Sequence, residues 1–170
     1  MTIAYALATL SYAGAGYVAA QSDGPELAPP PIRLMSKDER LRLDGVSDIK
    51  SRTKLALELM NARVTAAEKL HATEDFEGVF RELGGFHGVM DNCVQYLVKR
   101  DSGSGKVLDN FKRLDLGLRA LAPRLESIRR ELPLRYEDYV RRLIRYVREA
   151  RTTATEPFFS DTVVPHRPGN

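Results

Sequence analysis

Two residues near the middle of the chain have the spacing of a metal-binding pair. Glu68 and His71 are three positions apart, and on a helix this spacing aims both side chains to one side, as in di-iron helical bundles. A di-iron centre needs a second such pair, but Glu82 precedes His87 by five positions and Gly84 stands at the required place. We therefore interpret the pair as a chance match and predict no metal site.

A second chemical feature is the glycine-rich stretch GGFHG at residues 84–88, which lies within a predicted helix. Each glycine costs about 0.8–1 kcal/mol relative to alanine in a helix interior, so the fold should require them. One interpretation is a close helix approach or a kink, with His87 filling space and hydrogen-bonding Asp91 one turn later. The other is a local opening where a ligand meets exposed backbone. The candidate residues of that ligand site are Gly84, Gly85, His87, Gly88 and Asp91, with Cys93 as a further lining residue.

Cys93 is the only cysteine of the chain and follows His87 by six positions. Residues six apart on a helix point to different faces, so these two cannot form a nucleophile and base pair. We interpret Cys93 as a small buried residue. A single cysteine also excludes an intramolecular disulfide, a multi-cysteine zinc or iron–sulfur site, and the paired attachment of a c-type haem.

Arginines are concentrated towards the carboxyl end of the predicted helical region. Residues 124–151 contain nine arginines and five acidic residues, a net charge of +4. Guanidinium groups suit carboxylates, phosphates and anionic headgroups, so one interpretation is contact with an acidic protein partner or an anionic membrane surface. The alternative is a solvated face whose arginines pair with neighbouring acids. The candidate partner surface comprises Arg141, Arg142, Arg145 and Arg148.

The composition narrows the remaining function classes. The net charge of +3 is a small difference between 26 basic and 23 acidic side chains, so the strong field of a dedicated nucleic-acid binder is missing. Tryptophan is absent, which weakens any case for a base-stacking platform. Walker, Rossmann, serine-elbow and zincin patterns are also missing. We predict no nucleic-acid partner, no catalytic residues and no cofactor, and we favour a protein that is not an enzyme.

The amino terminus has the features of a targeting segment. Residues 3–20 contain no charged side chain and end in small residues that a signal peptidase accepts. We predict a signal peptide at 1–20 and export to the periplasm or the exterior. The alternative is a membrane anchor through residues 3–20. Residues 21–35 include three consecutive prolines and predict an extended spacer.

Helix-start signals divide the rest of the chain. Ser36 and Glu39 match a capping box, and the short helix that follows should end at Gly45 in the left-handed conformation. Apolar periodicity predicts longer helices over 48–73 and 75–100, although no glycine or proline separates them, so one continuous helix remains an alternative. Further helices are predicted over 106–131 and from Pro133 onward.

One helix carries an unbroken apolar seam at spacings of three and four residues: Phe111, Leu114, Leu118, Leu121, Leu125, Ile128 and Leu132. Such a seam must pack against partner helices. Pro123, the loop at 101–105 and two other helices of similar length favour packing within the chain over a dimeric coiled coil. We predict an all-α, up-and-down antiparallel four-helix bundle with a short extra N-terminal helix.

The predicted organisation is a helical bundle domain at 36–152 and a flexible tail at 153–170. The leading functional hypothesis is an exported helical-bundle protein that acts by protein–protein or envelope-surface contact. The alternative is a ligand-binding or catalytic bundle with its site around His87. The sequence leaves the oligomeric state open.

Overall fold

Helices account for most of the protein in this computed structural model, which describes residues 26–101 and 103–160, and no strand occurs in that part of the chain. The predicted signal peptide or anchor, residues 21–25 of the predicted spacer and residues 161–170 of the predicted tail lie outside the described residues. The helices are α1 (Lys37–Asp44), α2 (Ile49–Ala72), α3 (Phe76–Val98), α4 (Gly105–Glu131), α5 (Leu134–Thr155) and α6 (Pro157–Ser160). The all-α prediction is therefore confirmed for these ranges.

The capping box at the start of α1 is confirmed. The Glu39 N–H donates to Ser36 Oγ at 3.1 Å, and the Ser36 N–H donates to the Glu39 carboxylate at 2.7 Å. The expected conformation at the other end is wrong, because Gly45 has a φ of −71° and stays in the right-handed helical region. Its N–H instead donates to the carbonyl of Leu41 at 3.0 Å, which ends the helix with an ordinary helical turn.

α2 and α3 are separate helices, so the reversal predicted at residues 73–75 is confirmed. The turn has no glycine because Glu74 itself takes the left-handed conformation, with a φ of 58°. Asp75 then caps α3 by accepting a hydrogen bond from the Gly78 N–H at 2.9 Å. A local hydrogen bond from an orphan N–H to a side-chain carboxylate thus marks the start of α3 and divides the two helices.

The seam of α4 is buried along its whole length, from Phe111 to Leu132. The helix continues through Pro123 without interruption. α5 runs as far as Thr155, and α6 follows from Pro157 to Ser160. Residues 153–160, which the sequence assigned to the flexible tail, are thus helical except for a turn at Glu156.

Two helix pairs are antiparallel, since their contacting residues run in opposite numerical directions. The contacts are Arg52 with Asn92 and Arg63 with Glu82 between α2 and α3, and Asp115 with Arg151 and Arg129 with Glu137 between α4 and α5. Short connections between helices of similar length require this arrangement.

The two antiparallel pairs pack side by side, α2 against α4 and α3 against α5. Here the contacting residues run in the same direction: Leu57 approaches Gly117 and His71 approaches Glu131, while Phe80 touches Tyr139 and His87 touches Tyr146. The apolar core lies between these helices, and α1 covers α2. Within the described ranges, no helix combines the length and the apolar composition needed to cross a membrane.

Candidate functional site

The glycines of the GGFHG stretch mark a place where another part of the chain crosses α3 at backbone distance. A Cβ at Gly84 would lie 2.6 Å from the carbonyl oxygen of Ile32, and a Cβ at Gly88 would lie 3.0 Å from the Arg33 carbonyl oxygen and the Met35 nitrogen. Gly84 and Gly88 are four positions apart and so share one face of the helix. Their missing side chains leave the room that the N-terminal segment, residues 28–36, occupies.

The third glycine has a different neighbour. A Cβ at Gly85 would lie 2.8 Å from the guanidinium carbon of Arg63. Arg63 donates to both carboxylate oxygens of Glu39, at 2.9 and 2.8 Å, and to Glu82 at 2.8 Å. Burial by itself would raise the pKa of Glu39, but the hydrogen bonds from Arg63 and Ser36 outweigh it and lower that pKa. Gly85 therefore gives space to an arginine that ties α1, α2 and α3 together.

The N-terminal segment is held at both of its ends and in its middle. The Ala28 N–H donates to the carbonyl of Arg135 at 2.8 Å. The Arg33 guanidinium lies 4.8 Å from the ring centroid of Tyr146 and within 3.4 Å of its hydroxyl. Ala28 and Met35 pack against the core. The part of the predicted spacer that the structure describes thus lies against α3 and α5.

His87 lies within this contact, and only 1% of its surface is exposed. Its ring packs on Tyr146 at a centroid distance of 4.9 Å. Nε2 is 3.7 Å from the Asp91 carboxylate, which is longer than the hydrogen bond that the sequence suggested, and Nδ1 has no hydrogen-bond partner among the described residues. Burial, together with the positive charge of Arg33, lowers the pKa of His87 to about 4. The ring is therefore neutral at pH 7.

Asp91 and Cys93 are not joined to His87 in a reactive arrangement. Burial raises the pKa of Asp91 against the opposing charge of Arg33, and burial raises the pKa of the Cys93 thiol to about 12. Asp91 lines a cleft of about 230 Å³ that also includes Met90 and Tyr146. Cys93 is buried, as the sequence predicts.

Glu68 and His71, the spacing first considered for a metal, bind different partners. Arg124 donates to both oxygens of Glu68, at 2.7 and 2.5 Å, and the ring of His71 packs edge-on against Phe76. Among the described residues, no three histidine, cysteine, aspartate or glutamate side chains come together as metal ligands.

The four arginines proposed from the sequence as a partner surface, hereafter the arginine face, divide into two pairs. Arg141 and Arg142 form ion pairs one turn back, with Glu137 at 2.9 Å and Asp138 at 3.1 Å. Arg145 and Arg148 are exposed and have no acidic partner among the described residues. The alternative of a fully paired, solvated face therefore fits the first two arginines and does not fit the second two.

Arg148 lies between two clefts, each of about 250 Å³, along the junction of α4 and α5. The residues of the first are Glu126, Arg129, Arg141, Ile144 and Arg148. The residues of the second, hereafter the anion cleft, are Asp115, Arg119, Arg148, Arg151, Thr152 and Thr155. The basic surface thus continues from α5 onto α4.

Sequence reasoning missed the α4 side of this surface. Asp115 follows Leu114 of the apolar seam and precedes Arg119 by four positions, a spacing that places the carboxylate and the guanidinium on neighbouring turns. A charged residue directly beside a buried seam, with an opposite charge one turn later, was the available signal. The pairing of Asp115 with Arg151, by contrast, depends on how α4 and α5 pack, which the sequence does not state.

Comparisons with known proteins add no relative: no protein-family model, curated protein or solved structure matches this chain. The functional conclusions therefore depend on the geometry alone.

Proposed function

We propose that this protein is a small helical-bundle protein without catalytic activity that binds an acidic protein partner through the arginine face. The observation that carries the proposal is that Arg145 and Arg148 are exposed and unpaired in the part of the chain that the structure describes. Two neighbouring cations without acidic partners repel each other and remain free to meet carboxylates from outside.

The paired arginines support this surface in a different way. The carboxylate of Glu137 receives hydrogen bonds from both Arg129 of α4 and Arg141 of α5. It therefore joins the two helices and holds their guanidinium groups beside the first cleft. Ion pairs near a protein surface add little to stability, so the main effect of these two is to fix the positions of the charges.

The shape of the surface favours a protein partner over a membrane. Both clefts are recessed between α4 and α5, and Ile144 supplies an apolar wall to the first. A protruding acidic side chain can enter such a cleft, whereas a flat bilayer surface meets only its rim. An amphipathic membrane-binding helix also needs an exposed apolar face, and the apolar residues Leu143, Ile144 and Val147 are buried.

The scaffold that presents this surface is, in our proposal, an up-and-down four-helix bundle formed by α2 to α5, with α1 as a short additional helix. The support comes from the two antiparallel pairs, α2 with α3 and α4 with α5. We further propose export, directed by residues 1–20 as a signal peptide, with an anchor through residues 3–20 as the alternative. A mature amino terminus at Gln21 in the soluble envelope fraction would support a cleaved signal, and an intact Met1 in membranes would support the anchor.

The alternative function, a ligand site at the glycine-rich stretch, has less support. The faces of Gly84 and Gly88 are covered by the N-terminal segment, and the face of Gly85 is covered by Arg63. The space that these glycines leave is thus filled by the chain's own residues.

Fluorescence anisotropy with a short labelled peptide of alternating aspartate and glutamate tests the proposal. Arg145→Glu combined with Arg148→Glu should weaken binding at least about tenfold, since like charges then face each other. The matched control is Arg40→Glu with Arg42→Glu, which reverses two exposed arginines on α1 that have no ion pair among the described residues. Equal affinities for the wild type and the first variant, or equal losses in both variants, would contradict the proposal.

A further inference from the structure

The anion cleft is organised around one carboxylate. Asp115, whose side chain is 11% exposed, lies at its base between two arginines. The Nε of Arg151 donates to one carboxylate oxygen at 2.8 Å, and Arg119 approaches the other at 3.4 Å. Arg151 comes from α5 and Arg119 from α4, so one carboxylate positions guanidinium groups from both helices at the cleft.

A third guanidinium, that of Arg148, also lines the cleft and has no acidic partner among the described residues. Three arginines and one aspartate leave the cleft a net charge of +2. The hydroxyls of Thr152 and Thr155 donate to the carbonyls of Arg148 and Thr152, at 3.2 and 2.8 Å. The donors available to a ligand are therefore the remaining guanidinium N–H groups.

These features match a phosphoryl group better than a single carboxylate. A phosphomonoester carries a charge of about −2 above its second pKa near 6 and presents three acceptor oxygens, which balances the +2 of the cleft. An arginine guanidinium can bind two such oxygens at once through two parallel N–H···O hydrogen bonds. The cleft volume of about 250 Å³ leaves room for the group and part of its ester substituent.

We propose that the anion cleft binds the phosphoryl group of a small, soluble phosphomonoester, held by Arg119, Arg148 and Arg151, with Asp115 as the positioning residue. This site goes beyond the proposed partner surface, because a small anion would bind whether or not an acidic protein does. Only Arg148 belongs to both.

Titration calorimetry on the full chain with inorganic phosphate and with phenyl phosphate, at constant ionic strength set by chloride, tests the site. We expect saturable binding that Arg119→Gln weakens at least about tenfold by removing one charged donor. Arg145→Gln is the matched control, since it removes an exposed arginine of the arginine face that does not line the anion cleft. It should leave phosphate binding within about twofold of the wild type, while weakening the acidic peptide. Circular dichroism checks that both variants keep their helices.

The charge argument adds a second readout. Affinity for phenyl phosphate should rise as the pH is raised through about 6, because this monoester becomes a dianion, and the monoanionic diester dimethyl phosphate should bind more weakly. The site would be overturned if phosphate bound no more tightly than chloride does. It would also be overturned if Arg119→Gln bound phosphate as tightly as the wild type, or if Arg145→Gln weakened phosphate binding as much as Arg119→Gln. Capture by vesicles containing phosphatidic acid without binding of the soluble anions would overturn it as well. Peptide binding that Arg145→Gln leaves unchanged, with phosphate binding intact, would overturn the partner surface alone.

Discussion

The carbonyl oxygen of Ile32 lies 2.6 Å from the position that a Cβ at Gly84 would take. This single distance explains why a helix interior tolerates a residue that destabilises helices by about 0.8–1 kcal/mol relative to alanine. The glycine belongs to a contact between backbones, in which α3 receives the N-terminal segment.

Gly84→Ala should therefore destabilise the protein although alanine is the better helix former. The obstructing atom is backbone and cannot rotate away, so overpacking costs of about 1–3 kcal/mol exceed the gain in helix propensity. We expect the free energy of unfolding in urea to fall by about 1–2 kcal/mol, with faster amide exchange in residues 28–36. Gly105→Ala, where no atom lies within 4 Å of the added Cβ, is the control and should not destabilise. A Gly84→Ala variant as stable as wild type would contradict the contact.

The side-by-side packing of α2 and α4 predicts coupling between Gly117 and Leu57. A Cβ at Gly117 would overlap a methyl carbon of Leu57, so the Leu57 side chain must shift in Gly117→Ala, at a cost that offsets the gain in helix propensity. Leu57→Ala removes a half-buried side chain and should destabilise the protein. Together they should cost less than the sum of the two, by about 0.5–3 kcal/mol, because Leu57→Ala removes the obstructing methyl. Additive losses in chemical unfolding would show that these helices are not in contact.

The lowered pKa of the buried His87 predicts a loss of protein stability on mild acidification. Burial lowers its folded-state pKa from 6.5 to about 4, so the unfolded chain takes up the proton first. The contribution of the neutral ring is complete above pH 6.5 and is lost as the pH falls towards 4. One pKa unit corresponds to about 1.4 kcal/mol, so the loss from pH 7 to pH 5 is about 2 kcal/mol.

His87→Leu should flatten this dependence because leucine has no group that titrates. The substitution removes no hydrogen bond at Nδ1, which has no partner among the described residues. Urea unfolding of both proteins at pH 7 and pH 5 provides the comparison. The charged groups that face the ring, Asp91 and Arg33, remain in both. The same pH dependence in the variant would mean that the buried ring is not the group that titrates.

Local patterns predicted much of the scaffold. The seam from Phe111 to Leu132, the capping box at Ser36 and the reversal before Asp75 are all visible as spacing or residue type, because short-range geometry produces them. The left-handed conformation predicted for Gly45 was wrong, because a helix can also end through a right-handed turn with ordinary backbone hydrogen bonds. Periodicity cannot distinguish these two endings.

The candidate sites were harder to predict from the sequence, because they depend on contacts between distant parts of the chain. The glycines at residues 84–88 indicated either close packing of the helix or a ligand site, and the sequence could not decide between the two. The structure assigns the space to Ile32 and Arg33, about fifty positions earlier in the chain. Gly84 and Gly88 on one helical face were the available signal, but their partner could not be read from spacing. The same holds for Asp115 and Arg151, which meet only once α4 and α5 have packed.

The most direct test of the central claim is an NMR titration of the isotope-labelled protein with the acidic peptide. If the arginine face binds it, the largest chemical-shift changes should occur at Arg145 and Arg148 and at neighbouring positions on α5 and α4, and salt should reduce them. The backbone signals of α1 and of the N-terminal segment should stay unchanged. Shifts centred on α1 or on residues 28–36, or uniform small shifts across the protein, would contradict the account.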